Sequence, residues 1–138
     1  MYPAEIVLPM KKELTDVGFS ELTTVEAVDN ALNEKTGTAL VVVNSVCGCA
    51  AGAARPGIKK ALEISKKKPN HLYTVFAGFD TDGVAQARKY FLPYPPSSPA
   101  MALFKDGKLV HFIERHNIEG NSSAAIAEHL DAVFEEYC

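Results

Sequence analysis

No apolar run in this 138-residue chain exceeds a handful of residues, far short of the roughly 20 that a helix needs to cross a bilayer. A membrane partner is therefore not expected. A basic excess is also missing, because 14 Lys and Arg face 17 Asp and Glu for a formal net charge of −3, and nothing here neutralises a row of phosphates. Nucleic acid is excluded as a partner on that ground. The opening MYPAEIVLPMKKE lacks the basic-then-apolar order of a signal peptide, so a soluble, unexported, cytoplasmic protein is expected. Cysteine is scarce and odd in number: Cys47, Cys49 and Cys138. Secreted scaffolds use several spaced pairs instead. Repeats, low-complexity tracts and linkers are absent too, which leaves one domain over residues 1–138 as the expected organisation.

The apolar pattern predicts two opening helices, from Pro3 to about Gly18 on Ile6, Met10, Leu14 and Val17, and from Thr24 to about Glu34 on Val25, Val28 and Leu32. Thr38 to Asn44, TALVVVN, is a β-branched run of the kind that forms a strand buried on both faces. AAGAARPGIKKALEISKKK then reads as a helix with a kink at Pro56, whose ring crowds the preceding turn and whose nitrogen has no proton to donate. The lysines at 66, 67 and 68 fit the negative end of that helix's dipole. His71 to Gly78 is a second strand and Asp82 to about Phe91 a helix. Ala100–Phe104 and Leu109–Ile113 form a hairpin about Asp106-Gly107, and a last helix begins near Asn121 or Ser122. Strands joined through a helix are parallel, and a tight turn makes the next pair antiparallel. The expected architecture is a mixed four-stranded sheet covered by helices.

Cys47-Gly48-Cys49 falls where the first strand ends and a helix begins. Unpaired backbone N–H groups and the positive end of the helix dipole favour the thiolate there, and the thiolate is the attacking species. Residues two apart do not face each other on a helix, so a Cys47–Cys49 bond requires a non-helical turn, which Gly48 permits. So small a ring should be strained and easily reduced. On this reading Cys47 is the nucleophile and Cys49 the resolving thiol. Two other readings stand beside it. Both cysteines would serve as small buried hydrophobes, or their thiolates, with Cys138 or a histidine, would bind zinc or copper(I). No second close pair or His-x₃-His element completes a four-ligand set. Ser98-Pro99 enters the third strand and is a candidate cis bond. Since that strand runs antiparallel to the first, its start lies opposite Cys47 and would offer the Ser98 backbone to an extended substrate.

Cysteines after the first strand, a proline in the next helix, and an X-Pro before the hairpin PAMALFKDGKLV resemble the thioredoxin superfamily. More closely, NSVCGCAAGAARPG, VFAGFD, YPPSSPAMALFKDGK, ERHNIEG and EEYC resemble the bacilliredoxin family over nearly the whole chain. The resemblance implies a thioredoxin-like three-layer α/β fold with an N-terminal helical extension. It further implies removal of bacillithiol from mixed disulfides on protein cysteines, with a weak disulfide isomerase activity and no bound cofactor. Cys47 would accept the bacillithiol, Cys49 would release it, and Gly48, Ser98, Pro99, Arg115 and His116 would meet the substrate. Ala50 stands where common thioredoxins carry their second active-site cysteine.

The second hairpin strand returns the chain to the cysteine end of the sheet, which brings Glu114-Arg115-His116-Asn117 near the site. A cationic Arg115 or His116 there would favour the Cys47 thiolate or meet the carboxylates of bacillithiol. Arg55 is a similar candidate anion contact. Cys138 is either a third redox thiol or a frayed end. Asp80-Thr81-Asp82-Gly83 fails as a calcium loop, because Phe91 stands where the bidentate Glu is needed. His71, His111 and His129 read as structural or surface residues.

Overall fold

A computed structural model describes residues 1–33 and 35–138; the expected end of the second helix, at Glu34, lies outside the described residues. The elements, in chain order, are α1 (Ala4–Thr15), β1 (Ser20–Glu21), α2 (Val25–Leu32), β2 (Thr38–Asn44), a π-helical turn (Ala50–Ala54), α3 (Arg55–Ile64) and β3 (His71–Phe76). Beyond them come α4 (Thr81–Tyr90), β4 (Ala100–Lys105), β5 (Lys108–Ile113), α5 (Arg115–Ile118) and α6 (Ser123–Tyr137).

The strands order as β1-β3-β2-β4-β5. β1, β3 and β2 are parallel, while β4 runs antiparallel to both β2 and β5. The sheet thus has five strands, one more than expected. The extra one, β1, is two residues long, both of them polar and on the exposed side, so no apolar run announces it. Every residue of β2 is buried, as a central strand covered on both faces requires. Its side chains alternate: Leu40 and Val42 face a core built with Leu14, Ile58, Ile126 and Phe134, whereas Val41 and Val43 face one built with Val28, Leu32, Val84 and Phe91. Helices therefore cover both sides of the sheet. Among the described residues no helix is long and apolar enough to cross a membrane.

Several local features trace to single residues. Thr24 and Ser122 cap α2 and α6 by accepting from the Ala27 and Ala125 N–H groups at 3.0 and 3.1 Å. Asp106 and Gly107 have φ of 51° and 81°, the left-handed pair that a two-residue hairpin turn demands. The break expected at Pro56 takes the form of the π-helical turn just before it, in which the Arg55 N–H donates to the Ala50 carbonyl five residues back. Widening the turn makes room for the proline ring. One residue on, a Cβ on Gly57 would sit 2.7 Å from Ile126 Cβ and Cγ2, so the glycine lets α3 lie close on α6.

The inward face of α1 differs from expectation. Val7, Lys11 and Leu14 are buried, while Ile6 and Val17 are exposed. The lysine explains the shift: its Nζ lies 2.7 Å from Glu21 Oε1, 2.9 Å from Asp80 Oδ2, and over the Phe79 ring. Burial opposes its charge, but hydrogen bonds from Lys11 to Glu21 and Asp80 outweigh that and raise its pKa above 10.5. A buried, paired cation ties α1 to the edge strand β1.

Candidate active site

β2 ends at Asn44, whose side chain anchors the loop beyond it. Asn44 Oδ1 accepts from the Ser45 N–H and from Arg55 Nη1, both at 2.9 Å, while Nδ2 donates to the Met10 carbonyl at 3.1 Å. Arg55, 2 % exposed, also donates to the Ser45 carbonyl at 2.8 Å and to Glu13 Oε2 at 3.0 Å. This corrects the expectation of an anion contact: Arg55 is a buried clamp between α1, the end of β2 and α3. The clamp fixes the loop on which the cysteines sit.

Cys47 occupies the cap position of the helical segment that opens at Gly48. Its carbonyl accepts from the Ala50 and Ala51 N–H groups at 3.0 and 3.2 Å, and its own N–H donates to Ser45 Oγ at 3.1 Å. Cys47 and Cys49 are joined as a disulfide with their Cα atoms 5.5 Å apart. The Cys49 N–H points at Cys47 Sγ, 3.3 Å away. A donor aimed at that sulfur favours its anion once the bond is reduced. The two sulfurs face different surroundings. Cys47 lines an open cleft of about 300 Å³, whereas Cys49 packs against the core beneath α3 and α6. Gly48 is exposed between them and Ala50 is fully buried.

The cleft lies beyond the carboxyl ends of the parallel strands β2 and β3, where open α/β sheets hold their ligands. Ser45, Val46 and Cys47 form one side, Ala77 and Gly78 come just after β3, and Arg88 reaches in from α4. Ser98 and Arg115 complete it with Tyr2, whose N–H donates to the Gly78 carbonyl at 3.2 Å. The Ser98-Pro99 bond is cis, as the sequence suggested, and Pro99 is buried behind Ser98. The Leu92-Pro93 bond is cis as well, which was not expected. Val43 pairs with Ala100, so the start of β4 does lie beside the end of β2. Arg115 holds the intervening loop: its N–H donates to Ser97 Oγ at 2.7 Å, Nη1 lies 3.4 Å from the Ser98 carbonyl, and Nε pairs with Glu119. No helix was expected at α5, on which Arg115 sits; a reciprocal cap between Glu114 and Asn117 makes it helical.

Not every expected residue meets Cys47. His116 lines the neighbouring hollow with Ser97, Ser98 and Arg115, and is absent from the lining of the cysteine cleft. Tyr2 and Arg88, which do line it, carry no sequence signal, since only the fold brings their segments to the cysteines. Cys138 sits at the other end of the sheet: its thiol lies against Thr38, the first residue of β2, and burial pushes its pKa above the usual 9.0. Seven strand residues separate it from the cysteine loop, roughly 20 Å at strand rise, so it cannot resolve a Cys47 intermediate within one chain. Nor does it supply the third ligand of the metal reading. Elsewhere, His111 Nε2 and His129 Nε2 face each other at 2.9 Å beside a hollow of about 570 Å³. Burial and the neighbouring His129 lower the His111 pKa below 6.5. Among the described residues no group of three or more His, Cys, Asp or Glu is arranged to hold a metal ion.

A family model described as disulphide isomerase matches residues 2–138. A bacilliredoxin of Cytophaga hutchinsonii is 62 % identical over 136 residues, covering 99 % of each chain. The chain belongs to the bacilliredoxin family. A second member, from Bacillus cereus, is 53 % identical over 99 % of this chain and 95 % of its own. The solved structure of reduced Schistosoma mansoni thioredoxin pre-protein shares the fold at a TM-score of 0.57 and 18 % identity, covering 86 % of this chain and 96 % of that one. Like its family, the chain is a thiol–disulfide oxidoreductase with a thioredoxin fold.

Proposed function

We propose that this oxidoreductase strips bacillithiol, or a similar low-molecular-weight thiol, from mixed disulfides on cytoplasmic proteins. The Cys47 thiolate attacks the sulfur of the small thiol, the protein cysteine leaves as its thiolate, and Cys47 keeps the small thiol in a new disulfide. Cys49 then attacks Cys47 Sγ, which closes the Cys47–Cys49 bond and frees the small thiol. The same sulfurs acting on a protein disulfide account for a weaker isomerase activity.

One observation carries the assignment of roles: Cys47 lines the open cleft while Cys49 packs on the core. Both are half-buried, but the cleft offers a bulky mixed disulfide its approach to the first, and the second needs to reach only its neighbour. Ser98, at the cis bond across the cleft, would meet an extended segment of the modified protein.

Intact mass spectrometry tests this with a protein carrying a bacillithiol adduct. Cys49→Ser is expected to gain the mass of the small thiol and hold it. Cys47→Ser should neither gain that mass nor free the modified protein. Adduct formation by Cys47→Ser at the wild-type rate would contradict the assignment.

A further inference from the structure

Lys11 and Arg55 are buried and Arg88 is half-buried, and the three are matched differently. Arg55 is matched by Asn44, the Ser45 carbonyl and Glu13. Lys11 is matched by Glu21 and Asp80. Arg88 is the exception: its Nε is buried without a hydrogen-bond partner, and none of the ion pairs among the described residues includes it. A half-buried guanidinium with no partner of its own has donors left for a ligand. The residue lies on α4.

Arg88 lines the same cleft as Cys47. With Arg115 it gives that lining two guanidinium groups and no carboxylate. Arg115 is partly occupied by Glu119 and the Ser98 carbonyl, so Arg88 is the donor with unused capacity. Partial burial lowers its pKa from the usual arginine range, and it remains charged at neutral pH.

We propose that Arg88 is an anion-binding residue of the cysteine cleft, which grips a carboxylate on the small thiol while its sulfur is transferred to Cys47. The proposal rests on the function given above and adds the residue that selects among thiols. A guanidinium fork suits a carboxylate, and such a contact is short and strong in a site partly closed to water. A thiol without an acidic group leaves Arg88 unpaired and gains nothing from it.

The test uses one single-cysteine protein modified in two ways, with mercaptosuccinate, which carries two carboxylates, or with mercaptoethanol, which carries none. Pre-reduced enzyme supplies both electrons in a single turnover, and the second-order rate constant for release is measured for each adduct. Wild type is expected to favour the carboxylate adduct about tenfold or more. Arg88→Gln should bring that ratio close to one, and Arg88→Lys, which keeps the charge but not the fork, should retain part of it. An undiminished ratio in folded Arg88→Gln overturns the proposal, as does an equal loss on both adducts. Should the variants not fold, the wild-type ratio decides, because a value near one also overturns it. Release of both adducts at equal rates leaves the thiol-removing function standing and sinks the role of Arg88 alone; release of neither sinks both.

Discussion

Cys47 and Cys49 are two residues apart in sequence and have different chemistry because the backbone turns between them. The first faces the cleft with an N–H aimed at its sulfur, and the second faces the core. The motif itself was legible, since short-range spacing and a strand-to-helix junction announce it. So was the Ser98-Pro99 bond, because proline restricts its own neighbourhood. Arg55 was legible as a residue and misjudged in role: the same guanidinium serves a ligand or a clamp depending on burial, which a sequence does not display. Its clamp role carries a prediction. Arg55→Ala removes one of the two donors to the Asn44 oxygen and leaves the Ser45 carbonyl without its buried donor, and should lower the unfolding free energy by about 3 kcal/mol, as measured by urea denaturation. A change under about 0.5 kcal/mol, the usual range of an exposed position, would contradict that role.

At the scale of elements, strands β2, β4 and β5 and helices α4 and α6 fall within a residue or two of their expected limits, because their apolar periods are strong and their ends carry turns or caps. Helix α1 shows where such reading stops. A buried lysine held by Glu21 and Asp80 rotates the inward face away from the one that hydrophobicity alone selects. The facing imidazoles of His111 on β5 and His129 on α6 were invisible for a similar reason, since the contact spans 18 residues. That contact makes stability depend on pH. Burial holds the His111 pKa below 6.5 in the folded state, so the unfolded chain takes up the proton more readily as the solution is acidified. This contribution is fully present above about 6.5 and is lost as pH falls through the lowered folded value. Urea midpoints measured from pH 7.5 downward should therefore decline for wild type, and His111→Asn should flatten the decline. An unchanged acid slope in His111→Asn would show that other groups set it.

Across the whole molecule, the doubly covered sheet sets its two ends apart. The carboxyl ends of β2 and β3 carry Cys47, the cis bond at Ser98 and the two cleft arginines, while the opposite end carries Cys138 beside Thr38. The thioredoxin-like architecture could be read from element order, because connection length decides between parallel and antiparallel pairing. Arg115 could be placed there too, from the return of the second hairpin strand, but the arrival of Tyr2 and Arg88 could not, because their segments meet the cysteine loop only through tertiary packing. Competitive alkylation of the fully reduced chain with iodoacetamide at neutral pH, with peptide mapping of the products, compares its three thiols directly. Cys47 should be modified first, well ahead of Cys49, which packs on the core, and of Cys138, which is exposed but whose thiol pKa is raised. Modification of Cys49 or Cys138 ahead of Cys47 would contradict the account.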